Sequence, residues 1–423
     1  MTTKAPVVVI VGGGFGGLAA AKALRRAPVK VFLIDRSNHH VFQPLLYQVA
    51  TSVLAPGQIA SPIRGLLADH ENTSVMMGTV TGVDVGARQV IVDAGEKDGT
   101  RVDYDYLILA TGATHSYFGH DEFARFAPGL KSLADAESLR NHILKAFERA
   151  EIERDASRRQ ALLTFVLVGA GPTGVELASA IAVMVQTTLR NDFRQIEPKS
   201  ARIILVDMGH RPLAAFSEKL SEAAKIRLIE LGVDIRLGQA VQAIDEEGVI
   251  VATERIPSKT VIWSAGVAPS PAGKWLGCEV DRAGRARIQS DLTIAQHPEI
   301  FVIGDTASLD QDGRPLPGVA QVAMQQGAYA AKVISRRLTH KPPLQPFRYF
   351  DKGNLAVVGK NFAVLQTGGI RMSGFLAWLV WALIHIQFLA ESSLRFSVFG
   401  QWIWTYISGK RGDRLIIERS RES

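Results

Sequence analysis

The sequence predicts an α/β protein with two parallel-sheet units and an apolar helical segment near its C-terminal end. Three observations carry that expectation. Short Val/Ile/Leu runs alternate with longer Ala/Leu-rich stretches, a strand–helix rhythm that implies parallel sheets covered on both faces. Two glycine triplets, starting at Gly12 and Gly169 about 157 residues apart, each lie between an apolar strand and an apolar helix. Past Gly369 the composition turns tryptophan-rich and nearly uncharged, then basic. The chain has 423 residues, 47% hydrophobic and 21% charged, in no low-complexity pattern. At roughly 150 residues per domain this gives room for two or three domains and excludes a single small binding module, a disordered chain and a fibre.

The first triplet is Gly12, Gly14 and Gly17 in VVVIVGGGFGGLAAAKAL, spaced GxGxxG between strand and helix. Gly12 permits a tight turn, Gly14 lets the backbone approach a pyrophosphate, and Gly17 lets helix and strand pack closely, while the helix N-terminus offers partial positive charge. The next strand, VKVFLID, ends at Asp35, 18 residues past Gly17, where a carboxylate can take the hydroxyls of an adenosine ribose. Strand, helix and acid together predict a dinucleotide site.

The second triplet, Gly169, Gly171 and Gly174 in LTFVLVGAGPTGVELASAIA, predicts another. Its strand-end acid is Asp207 in ARIILVD, 33 residues past Gly174, so a lengthened helix and a connector are expected between them. An acid there favours NADH by repelling a 2′-phosphate, although His210 and Arg211 follow closely and can soften that choice. Glu176, read as lying in the first helical turn, is either a charge stabilising the helix N-terminus or a contact for the nicotinamide.

YDYLILATGA (Tyr104–Ala113) and IFVIGD (Ile300–Asp305) resemble the ATG strand and the late GD strand of two-dinucleotide flavoproteins, whose aspartate holds the ribityl chain of FAD. The resemblance implies that Asp305 serves the flavin and that the FAD domain is discontinuous. The expected division is residues 1–115 and 285–340 for FAD, 116–284 for NADH, and 341–423 for a C-terminal anchoring domain. Beside the glycines and acids, the candidate cofactor contacts are Phe15, Arg36, Pro44, Ala110, Thr111, Gly112, Pro172, Thr173, Ala265, Gly266, Gly304, Ala320 and Gln321.

NHHVFQPLLYQVATSVL (Asn38–Leu54) and AQVAMQQG (Ala320–Gly327), with VIWSAGVAPSP (Val261–Pro271), resemble the type II NADH dehydrogenases over nearly the whole chain. That resemblance implies transfer of two electrons from NADH through non-covalent FAD to a membrane quinone without proton pumping, and a homodimer. It puts Gln321 at the quinone site. Gln325, four residues on, shares its helical face. Glu176, Gln321 and Gln325 are therefore the catalytic candidates. His39 and His40 fall in a loop that the resemblance brings near the flavin, with a structural role expected.

One cysteine, Cys278, excludes the redox CxxC of disulfide reductases and the cysteine pair of sulfide:quinone reductases, and no metal-ligand spacing is present. The expected partners are NADH, a quinone and a lipid bilayer surface, with no nucleic acid. Gly374–Ala390 is apolar except for His385 and Gln387, and RFSVFGQWIWTYI follows, with Trp378, Trp381, Trp402 and Trp404 expected at a membrane interface and Lys410, Arg411 and Arg414 beside it. The apolar run Val7–Val11 is too short for a signal-peptide core, so no export is expected and the attached face is expected to be cytoplasmic. The competing enzyme reading is a soluble NADH-dependent flavoprotein reductase of a small redox protein.

Overall fold

The computed structural model describes residues 5–95, 99–409 and 411–417. In chain order, β1 (Val7–Val11) turns into α1 (Phe15–Ala23), followed by β2 (Lys30–Asp35), the short helix α2 (Leu46–Ala50), β3 (Thr73–Met77) and β4 (Tyr106–Leu109). A second series follows: α3 (Leu133–Ile152), β5 (Thr164–Val168), α4 (Pro172–Val183), β6 (Arg202–Asp207), β7 (Val233–Leu237) and β8 (Thr260–Trp263). After β9 (His297–Val302) and α5 (Ala320–Leu338) come β10 (Asn354–Val357), β11 (Ala363–Thr367), β12 (Ile370–Gly374) and the helices α6 (Phe375–Phe388) and α7 (Ser392–Ser408).

The chain forms two compact units. The first is built from residues up to Val41, Ser61–Thr114 and Val267–Asp351. Among the described residues its main sheet runs β9-β4-β1-β2-β3, all parallel, with Thr293–Ile294 antiparallel on the outer edge of β9. Parallel strands buried on both faces need continuous apolar runs, and β1 (VVVIV) supplies one, with Val8, Val9 and Ile10 fully buried. Helix α5 closes over α1 at two glycines: a Cβ on Gly327 would stand 2.2 Å from the Gly16 carbonyl oxygen. Residues 267–284, expected with the second dinucleotide domain, fall in this unit because Ala272 and Leu276 pack into the core of Val9, Val11 and Leu107.

The second unit takes Phe42–Ala60, His115–Gly266 and the chain from Lys352 onward. Its four-stranded parallel sheet runs β7-β6-β5-β8, with β5 (TFVLV) buried at every position. The long interval between Gly174 and Asp207 holds α4, a π-helical turn at Met184–Thr188 and a 3-10 turn at Pro198–Ser200. Helix α2, in a stretch expected with the FAD domain, packs here on α3 and α4.

In the C-terminal segment, side chains expected together at an interface are divided between the interior and the surface. Antiparallel β10–β11–β12 backs α6, and among the described residues no helix is long and apolar enough to cross a membrane. Of the four tryptophans expected at an interface, only Trp404 is largely exposed, at 60%. Trp381 is buried and stacks on Trp402 at 5.1 Å, and Trp378 lines the same cavity. Of the basic cluster, Arg411 is buried, Arg414 is partly exposed and pairs with Asp192, and Lys410 lies outside the described residues. A buried guanidinium finds carbonyl partners in the protein, which local sequence does not reveal.

Candidate active site

The first glycine turn lies between β1 and α1, where the strand order of the first sheet reverses, the position at which open α/β sheets bind ligands. Gly12 has φ +104°, and a Cβ there would sit 2.3 Å from the Ala110 carbonyl oxygen. A Cβ on Gly17 would stand 1.8 Å from the Gly12 carbonyl oxygen, whereas nothing lies within 4 Å of one on Gly14, at the mouth of the helix. The turn thus leaves open space in front of exposed helix amides, as a pyrophosphate requires. Asp35 braces it, accepting from Gly13 N at 2.6 Å and Ser37 N at 2.7 Å. Arg36 is exposed beside it, and Pro44 sits in a 3-10 turn of the second unit.

His40 is a structural residue. Its Nδ1 meets the Gly13 carbonyl at 3.0 Å, its ring stands edge-on to Phe15, and burial lowers its pKa, keeping it neutral. His39 pairs with the adjacent Asn38 side chain. The ATG and GD strands meet through hydroxyls: Thr111 Oγ1 lies 2.5 Å from Ser270 Oγ, and Thr306 donates to the Gly112 carbonyl. Gly304, at φ +71°, donates its N–H to Gln326 Oε1 at 2.7 Å, opening the turn that carries Asp305. Gln326 is a supporting residue that the sequence reading passed over. Its signal was the buried third glutamine of AQVAMQQG.

Helix α5 begins at Ala320, so Gln321 sits in its first turn. Gln325, expected on the same face as a catalytic group, has its amide committed: it donates to the Phe350 carbonyl at 2.9 Å and accepts from Phe350 N at 3.0 Å. These two hydrogen bonds tie the Gln325 side chain to the backbone of Phe350. The first unit offers glycine turn, ribose acid, ATG and GD turns, a set that fits FAD.

The second turn repeats the first. Gly169 has φ +108°, a Cβ on Gly174 would meet the Gly169 carbonyl at 1.8 Å, and Gly171 faces open space. Asp207 accepts from Ala170 N at 2.5 Å and Gly209 N at 2.6 Å. Pro172 starts the helix and Thr173 is exposed at its mouth. Ala265 closes against Gly169, and Gly266 (φ +76°) leaves room for the Phe118 ring. Arg211, flagged as able to attract a 2′-phosphate, spends its guanidinium on the carbonyls of Phe216 and Ala214 at 3.0 Å each.

Glu176 is not in the first helical turn, which holds no acid. It is the fifth residue of α4 and points into a cavity of about 140 Å³ in the second unit, walled by Trp378, Trp381 and Trp402. Its Oε1 accepts a long bond from Val357 N, 3.3 Å, and burial raises its pKa to about 8. Beside it, Trp402 Nε1 donates to Gln48 Oε1 at 2.7 Å, and Gln48 Nε2 donates to Tyr47 Oη at 2.9 Å. An indole can only donate, so the direction of this chain is fixed and the Tyr47 proton is left to point onward. Burial and the neighbouring Glu176 raise the Tyr47 pKa well above 10, so the proton stays on. His385 meets the Trp381 carbonyl at 2.8 Å, with burial lowering its pKa to about 4.

Residues 6–327 match the model of the pyridine nucleotide-disulphide oxidoreductase family. The type II NADH:quinone oxidoreductase Ndh of Mycobacterium tuberculosis is 44% identical over 423 residues, covering 97% of this chain and 90% of that protein. NdhA of the same organism, also a type II NADH:quinone oxidoreductase, is 42% identical, covering 97% and 89%. In fold, the chain is similar to NDH2 of Plasmodium falciparum solved in complex with NADH, with TM-score 0.88, 19% identity, and 98% and 100% of the two chains covered. The chain belongs to the type II NADH:quinone oxidoreductases.

Proposed function

We propose that the chain oxidises NADH at the Gly169 turn and passes two electrons, through FAD held non-covalently at the Gly12 turn, to a membrane quinone without pumping protons. The observation that carries this reading is the doubling of one cradle: two glycine turns, each braced by a strand-end carboxylate bonded to two backbone amides. When bound, the flavin supplies the two-electron chemistry. The residues position and exclude. Asp207 takes the adenosine ribose of NADH, and Arg211 is held by the carbonyls of Phe216 and Ala214, which fixes where its charge sits. Asp35 and Asp305 hold the two ribose-derived parts of FAD, and the first turn of α5, carrying Ala320 and Gln321, brings a helix N-terminus toward the reduced, anionic ring. Quinone reduction consumes one proton beyond the hydride, drawn from water.

Membrane docking is part of the same proposal. Leu376, Leu379 and Leu383 on α6, and Phe396, Ile403 and Ile407 on α7, follow helical spacing and are exposed, Phe396 at 78% and Ile407 at 75%. Such a stripe suits a lipid surface. With Arg411 buried and Arg414 paired with Asp192 at the surface, apolar contact carries most of the proposed attachment; the cytoplasmic face and a homodimer belong to the same proposal. The test is direct: flavin absorption bands that bleach on adding NADH, and a quinone compared with a protein acceptor in the presence of lipid. Retention of protein-acceptor activity with none toward quinone would overturn the proposal. Replacing Leu383 and Ile407 with Gln should abolish liposome binding while ferricyanide reduction persists.

A further inference from the structure

Arg411 stands on the segment leaving α7 and is 5% exposed. Its Nη1 donates to the Thr51 carbonyl, just past α2, at 2.6 Å, and its Nη2 to the Ala180 carbonyl, midway along α4, at 3.1 Å. Both acceptors are neutral. Burying a cation without a carboxylate is costly, and the two carbonyl bonds offset that cost only while both acceptors stay in place. A planar fork holds two acceptors at a fixed separation, which a flexible ammonium does not. The segment itself is fastened again beyond Gly412: Asp413 pairs with the buried Arg140, Arg414 pairs with Asp192, and Asn141 Nδ2 donates to the Ile417 carbonyl at 2.7 Å.

The two helices that Arg411 bridges carry the polar end of the cavity, Tyr47 and Gln48 on α2 and Glu176 on α4. The same cavity is lined by the stacked indoles of Trp381 and Trp402, the latter bonded to Gln48. We propose that Arg411 is a positioning residue for quinone reduction: it fixes α2 against α4 and so sets the width of a slot for the planar quinone ring. This rests on the quinone-reductase reading above. The ring stacks on the indoles, and the Tyr47 hydroxyl, oriented through Gln48 by Trp402, donates to a ring carbonyl.

The test uses full-length, flavin-loaded Arg411→Lys, which keeps the charge and loses the fork. With a short-chain, water-soluble quinone, kcat/KM should fall on the order of tenfold, through both a higher KM and a lower kcat. Flavin bleaching by NADH and liposome binding should stay within about twofold of wild type. Independently of turnover, tryptophan emission should shift to the red and acrylamide quenching should rise as water reaches Trp381 and Trp402. A folded variant with unchanged quinone kinetics and unchanged emission would overturn the proposal. If Arg411→Lys does not fold, Asp413→Asn decides: loosening the same segment should give a smaller loss of the same selective kind, and no loss would overturn it. A wild-type protein that reduces ferricyanide but no quinone would remove the reading and this proposal with it.

Discussion

The two glycine turns of this chain share every backbone requirement and differ in what covers them. At the first, α5 closes on α1 so tightly that a Cβ on Gly16 would lie 3.1 Å from Ile303 Cδ1 and 3.2 Å from the Ala323 carbonyl. At the second, the matching residue is Thr173, exposed. Two residues past the third glycine, the first turn has Ala19 and the second has Glu176 at a cavity. The cover distinguishes the two turns and supports the proposed division of tasks: a lidded turn suits a cofactor that stays, and an open one suits a nucleotide that exchanges.

That division is most severely tested at the third glycines. Gly17→Ala and Gly174→Ala both force a Cβ to 1.8 Å from a carbonyl oxygen. Gly17→Ala should cost bound flavin or folding. Gly174→Ala should leave flavin absorbance while kcat/KM for NADH drops on the order of 100-fold. Loss of flavin from both would erase the proposed split. A smaller effect is expected at the acids: Asp207→Ala should lower the NADH-to-NADPH ratio of kcat/KM by about tenfold, since the repulsion of a 2′-phosphate goes with the charge. An unchanged ratio would assign the ribose to another group.

Glu176→Gln, at the polar end of the cavity, should lower kcat/KM for quinone several-fold while flavin bleaching by NADH stays within about twofold and FAD is retained; slowed bleaching would instead assign Glu176 to the nicotinamide. Glu176 also contributes a pH signature. Its folded pKa of about 8 lies above the ordinary 4.5, so between those values the unfolded chain binds fewer protons than the folded one, and stability falls as pH rises through that window. Glu176→Gln cannot titrate there, so its melting temperature should decline less between about pH 5 and 8. Parallel declines would mean that the carboxyl is not buried as described. The smallest contrast lies at the lids. Gly16→Ala should measurably loosen flavin retention, whereas Thr173→Gly should move the KM for NADH by no more than about twofold, because an exposed side chain packs against little.

The sequence by itself determined the α/β class, both turns and their acids, because a positive φ, a close backbone approach and a strand-end carboxylate are demands met within a few dozen consecutive residues. It also ordered the ATG and GD strands, though not the hydroxyl contacts from Thr111 to Ser270 and Thr306. It did not reveal that Trp381 and Arg411 are buried and that Trp378 and Trp402 line a cavity. Only the tertiary structure decided that Trp402 reaches Gln48 across 354 residues and Arg411 reaches Thr51 across 360. It also carried α2 into the second unit and Glu176 to a cavity rather than a helix end. These outcomes depend on which distant surfaces exclude water together: composition sets that a residue can be buried, and packing between remote segments sets whether it is and what it then faces.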